Sequence, residues 1–79
     1  MLSKRGDVMA VYEVGIFNRY IRAKVRNGDA LAPGVDPVWE ETNLFEVEAN
    51  SAERAGEIIL IKYPASQGFV IDGIFKLNG

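Results

Sequence analysis

Three stretches of this chain alternate as β-strands do, and turn residues bound each of them. That pattern limits the fold more than any other feature of the sequence. Residues 8–17 are rich in β-branched and aromatic types and read as a strand. Ala10, Tyr12, Val14 and Ile16 share one face, and Val11, Glu13, Gly15 and Phe17 share the other. Both faces are largely apolar, which predicts a central strand covered at least in part on both sides. In residues 42–49, Phe45, Val47 and Ala49 point one way and Leu44, Glu46 and Glu48 the other, the mark of a half-buried strand. Residues 68–77 form the last strand. Strict alternation puts Phe69, Ile71, Phe75 and Leu77 on the core and Val70, Asp72, Ile74 and Lys76 outside. Gly73 marks a bulge or a close backbone approach.

Two helices fill the gaps. Across residues 18–28, Asn18 suits an N-cap, Gly28 a C′ position, and Phe17, Tyr20, Ile21 and Val25 follow helical spacing. The same residues also alternate as a strand ending in an Asn27-Gly28 hairpin turn. No returning strand follows Gly28, so the helix is favoured. Residues 28–38 hold Pro33-Gly34, suited to the centre of a type II turn, and Asp36-Pro37. This longest connection is the segment expected to be mobile. A second helix starts at Asn50 or Ser51, with Glu53 three residues after Asn50 in a capping-box-like pair. Ala52, Ala55, Gly56, Ile59 and Tyr63 make one stripe, and Pro64 ends it. The run Ile58-Ile59-Leu60-Ile61 supports a competing strand over 57–63. That alternative leaves a helix of about one turn, which is marginal.

The resulting order is β-α-β-α-β, with an extra short strand expected near residue 39. It resembles a ferredoxin-like two-layer sandwich of the split βαβ type, α+β in class, one strand short and with both helices on one face of a small sheet. Residues 1–79 make a single domain, with 1–6 expected as a flexible terminus. The strand–helix–strand unit 44–77 is expected to cross over right-handed.

A domain of 79 residues has a thin stability margin, and small domains often gain from disulfides, metals or oligomerisation. Cysteine and histidine are both absent, so disulfides, thiolate zinc sites and the commonest general base are excluded. No dense acidic calcium loop, P-loop or dinucleotide fingerprint occurs, and no cofactor is expected. No apolar run reaches bilayer-spanning length and no signal-peptide core is present, so the cytoplasm is the expected location, with no membrane partner.

The net charge of −2 conceals an asymmetry. Residues 1–26 carry Lys4, Arg5, Arg19, Arg22, Lys24 and Arg26 against Asp7 and Glu13. Residues 27–57 carry Asp29, Asp36, Glu40, Glu41, Glu46, Glu48, Glu53 and Glu57 against Arg54 alone. Arg19, Arg22 and Arg26, with Tyr20 close by, form a basic helix stripe suited to nucleic acid, RNA above all. The alternatives are the solvated face of an amphipathic helix and a charged surface meeting the acidic middle segment, within the chain or between chains, and the overall acidity favours these over nucleic acid. Glu40 and Glu41 beside Trp39 diverge in an extended segment and do not make an acid/base pair. Tyr12, Tyr20 and Tyr63 fit packing roles, and Ser3, Ser51 and Ser66 have no base to activate them.

The remaining signal is surplus apolar surface. Val11, Leu44, Val70 and Ile74 fall on the sheet face away from the helices, and Ile61 points away from the sheet. These residues define a candidate self-association face. The leading expectation is a non-enzymatic interaction or accessory domain that forms a homodimer or larger homo-oligomer. Nucleic-acid binding through the first helix is the alternative, and a small-ligand-binding or catalytic dimer is the third.

Overall fold

The computed structural model describes residues 8–77. Strand β1 (Ala10–Asn18) leads into helix α1 (Arg19–Arg26), a 3₁₀ turn (Pro37–Glu40) and strand β2 (Asn43–Ala49). Helix α2 (Ala52–Lys62), a second 3₁₀ turn (Ala65–Gln67) and strand β3 (Phe69–Lys76) follow. The β-α-β-α-β order is as expected. The expectation for residues 1–6 falls outside the described range.

The sheet order is β2-β1-β3, with β1 antiparallel to both neighbours. β2 and β3 are therefore parallel to each other with β1 between them, a small α+β arrangement. Alternate β1 residues Ala10, Tyr12, Val14 and Ile16 are buried, Val14 and Ile16 completely. Val47 and Ala49 of β2 and Ala55 and Ile59 of α2 complete the buried core. Gly56 lets α2 approach the sheet, since a Cβ there would stand 3.4 Å from Cδ1 of both Ile71 and Ile74. Residues 57–63 therefore belong to a helix and its cap, with no second strand in the run Ile58–Ile61. The N-cap is Ser51, whose Oγ accepts from the Arg54 amide. The third helical position is thus Arg54, and Glu53 cannot close the capping box expected with Asn50.

β3 corrects the simple alternation. Gly15 pairs with Gly73 and Ile16 with Ile71, so Asp72 is an extra residue in a bulge. The bulge reverses every side chain beyond it. Ile74 packs against the core, not on the outer face, while Phe75 and Leu77 are 63% and 46% exposed. Ile74→Ala is expected to cost about 2 kcal/mol, and Phe75→Ala, in solution dilute enough to hold single chains, to stay within about 0.5 kcal/mol. Urea unfolding of both variants checks this, and equal losses would place the two residues on the same face.

The two helices do not share a sheet face. α2 packs on all three strands, whereas α1 buries none of its residues and rests on the Pro37–Glu40 turn and the end of β1. Its only strong apolar positions are Ile21 and Val25, both half-buried, and they are too few to cover a sheet. The ends of α1 are nevertheless well fixed. Asn18 Oδ1 accepts from the amides of Tyr20 and Ile21. At the other end, Gly28 N–H donates to Val25 O and Asp29 N–H to Lys24 O, with Gly28 at φ 77°. Those bonds form a Schellman cap. The Pro33-Gly34 turn is also as expected, with φ 85° at Gly34 and Val35 N–H donating to Ala32 O.

No strand forms near residue 39. Asp36 caps the 3₁₀ turn by accepting from Val38 N–H, and Pro37 occupies its first position. The turn places Trp39 among Phe45, Tyr63 and Phe69, with ring centroids 6.1, 5.1 and 5.1 Å away. These four rings seal the end of the core between α2 and the sheet.

Candidate functional site

The basic stripe of α1 is engaged within the chain in part. Arg22 is half-buried, donating from Nε to Glu40 O at 2.9 Å with its guanidinium 3.5 Å from the Phe17 ring centroid. Arg26 Nε lies 3.6 Å from Glu40 Oε2. The acidic segment after α1 therefore meets the basic helix in the same molecule, through Glu40. Glu40 and Glu41 do not act together: Glu41 is exposed, and Asn43 Nδ2 donates to its backbone carbonyl. The exposed side of α1 carries Arg19, Tyr20, Ala23 and Lys24, with Arg19 donating to the Tyr20 hydroxyl. Of the three arginines, Arg22 is held by Glu40 O and the Phe17 ring, while Arg19 and Arg26 remain exposed.

Beside this helix lies an open cleft of about 260 Å³, lined by Asn18, Tyr20, Ile21, Lys24, Leu31, Ala32, Val35 and Gln67. It is somewhat below the range of about 300–1,000 Å³ usual for ligand pockets. Asn18 is 4% exposed and its polar groups are engaged by the two capped amides and by Gln67 O, which accepts from Nδ2. Among the described residues, Lys24 is the charged group that lines the cleft. The cleft has room for one or two apolar side chains.

The outer face of the sheet is the larger feature. The β1–β2 register places Glu13 directly opposite Glu46, with Glu48 opposite Val11. Like charges facing each other across a strand pair are destabilising. The ion pairs among the described residues join Arg26 to Glu40 and Arg54 to Glu57, and neither involves these three carboxylates. On the β3 side, Phe75 lies opposite Glu13. Leu44 on β2 is 59% exposed, and Val11 and Val70 are half-buried on the same face.

One end of this face is closed. Thr42 Oγ1 donates to Asp72 Oδ2, joining the residue just before β2 to β3 across Gly15 of β1. A Cβ on Gly15 would stand 2.9 Å from Thr42 Cγ2 and 3.2 Å from Asp72 Oδ1. The bulge in β3 is what brings Asp72 to this position. Gly15→Ala is expected to cost about 1–3 kcal/mol through overpacking, despite the usual gain from replacing a strand glycine. A denaturant midpoint that rises in this variant would contradict the crowding.

The structure therefore divides the expected self-association residues. Val11, Leu44 and Val70 share the outer sheet face, Ile74 belongs to the core, and Ile61 stands 74% exposed on the far side of α2. Sequence reasoning missed Phe75, Leu77 and the Glu13–Glu46 opposition. The glycine at position 73 was the signal for the first two. The third follows only from strand register. No helix among the described residues is long and apolar enough to cross a membrane. In comparison with known proteins, no family model, curated protein or solved structure matches this chain.

Proposed function

We propose that this chain is a non-enzymatic interaction or accessory domain that self-associates, with the cytoplasm as its working location. The observation that carries the proposal is the open outer face of the sheet, where Leu44 and Phe75 are 59% and 63% exposed on neighbouring rows. α2 covers only the other face. A small sheet with one partly apolar face open gains stability by burying it against another chain that also meets its charges. The lack of histidine and cysteine in the sequence supports a binding role over a catalytic one.

The same proposal extends to topology. A strand order of β2-β1-β3, with the first strand between two mutually parallel ones, supports the sheet of a ferredoxin-like split βαβ unit that lacks one edge strand, with α1 departing from that pattern by not lying on the sheet beside α2.

Size-exclusion chromatography with light scattering tests the proposal. A concentration-dependent rise above the mass of one chain is expected, and Phe75→Glu is expected to reduce it while leaving the circular dichroism spectrum intact. A strict monomer up to high micromolar concentration overturns self-association.

A further inference from the structure

Resting on the self-association just described, we propose that the outer sheet face of one copy receives helix α1 of a second copy. Arg19 and Lys24 meet Glu13, Glu46 and Glu48, and Tyr20 and Ala23 lie over Leu44 and Phe75.

Two outer faces do not suit each other. With a two-fold axis across the strands, β2 lies over β2 and carboxylates face carboxylates. With the axis along the strands, Glu46 and Glu48 of one copy lie over the β3 side of the other, where Phe75 and Leu77 stand. Either arrangement buries charge without a partner, which is strongly unfavourable. The face carries carboxylates on β1 and β2 and exposed apolar side chains at its two edges, Leu44 on β2 and Phe75 on β3, so it needs an occupant that offers both cations and apolar side chains.

α1 has that character. Tyr20 and Ala23 sit between Arg19 and Lys24 on its exposed side, while its opposite flank is held by Glu40. None of its eight residues is buried in the single chain, an unusual state for so short a helix.

The dimensions also agree. Eight helical residues span about 12 Å. The open part of the face, from Val11 to where the Thr42–Asp72 bond closes it at Gly15, spans about 13 Å. Three strands are about 10 Å across from the first axis to the last, close to the width of one helix. A docked α1 supplies the outer sheet face with the layer that α2 supplies on the inner one. Charge matching across such a contact sets its specificity and its salt dependence.

Charge exchange tests the contact in the full chain. One variant carries Glu46→Lys and Glu48→Lys, and the other Arg19→Glu and Lys24→Glu. All four positions are exposed, so both variants are expected to keep the wild-type circular dichroism spectrum. Each variant alone is expected to associate about tenfold more weakly than wild type or worse. An equimolar mixture is expected to recover association, since each helix then finds a face of opposite charge. Added salt is expected to weaken wild-type association.

If the wild type associates and the variants associate equally well, or if the mixture shows no recovery, the helix-to-face contact is overturned and self-association stands. A wild type that remains a monomer overturns both. The milder variants Glu46→Gln and Lys24→Gln serve if a reversal disturbs folding. Each is expected to weaken association, and unchanged association in both overturns the contact.

Discussion

Trp39→Ala is expected to lower the unfolding free energy by about 3 kcal/mol, the lower end of the range for truncating a large aromatic, because the indole is only half-buried. A chain of this length has a total of roughly 4–12 kcal/mol to lose, so the variant sits near its folding limit. The effect is large because the indole contacts three rings on three different elements: Phe45 on β2, Tyr63 at the end of α2 and Phe69 at the start of β3. Tyr63 touches Phe45 and Phe69 as well, at 5.4 and 5.2 Å. Removing the indole opens the end of the core and frees the Pro37–Glu40 turn, which in turn supports α1. Urea unfolding followed by tyrosine fluorescence checks the loss. Trp39→Phe is expected to recover about half of it, and a full loss in Trp39→Phe would mean that the ring contacts matter less than the indole's own polar group.

The second large effect is expected at Gly68. Its φ of 100° disfavours any residue with a side chain. A Cβ there would also run into the Tyr20 ring and stand 2.8 Å from Asn18 Oδ1. Gly68→Ala is therefore expected to cost about 2–5 kcal/mol, combining left-handed strain with overpacking. Gly28 supplies the control, because its φ is 77° and nothing lies within 4 Å of its Cβ position. Gly28→Ala is expected to cost only about 1 kcal/mol. Equal losses at the two sites would mean that backbone strain alone decides, and that the Tyr20 ring yields freely. Gly68 also accepts from Arg19 N–H at 2.8 Å, while Gln67 O accepts from Asn18 Nδ2. Disturbing this turn is thus expected to loosen α1 as well.

The strands β1 and β2 were legible because their alternation is unbroken, from Ala10 to Ile16 and from Phe45 to Ala49. Asn18, Gly28 and the Pro33-Gly34 turn were legible because each acts through local hydrogen bonds or backbone conformation. β3 was misread beyond Asp72, since one inserted residue exchanges Ile74 and Phe75 between faces and periodicity alone cannot locate the insertion. The 3₁₀ turn at Trp39 carried a usable signal in Asp36-Pro37, a cap followed by proline at the first helical position. The position of α1 had no local signal. It depends on Glu40 and Phe17 holding Arg22, contacts between elements rather than within one. The candidate site was half visible for the same reason: its exposed apolar residues could be listed from alternation, but the facing of Glu13 and Glu46 required the register.

The strand order also has a consequence for how the chain reaches this state. β1 comes first in the sequence and is central in the sheet, and its two partners are never joined to it by a hairpin. Its nearest paired residue on β2 is Asn43, opposite Ile16, and its most distant on β3 is Lys76, opposite Tyr12. Every ladder must therefore be closed across a long stretch of chain, so the entropy of closure is lost before any pairing compensates it. Folding is expected in the slower part of the range for domains of this size, about milliseconds to seconds. During synthesis the apolar residues of β1 have no strand to pair with until β2 has been made. That interval is when a newly made chain exposes Val14 and Ile16 to its neighbours.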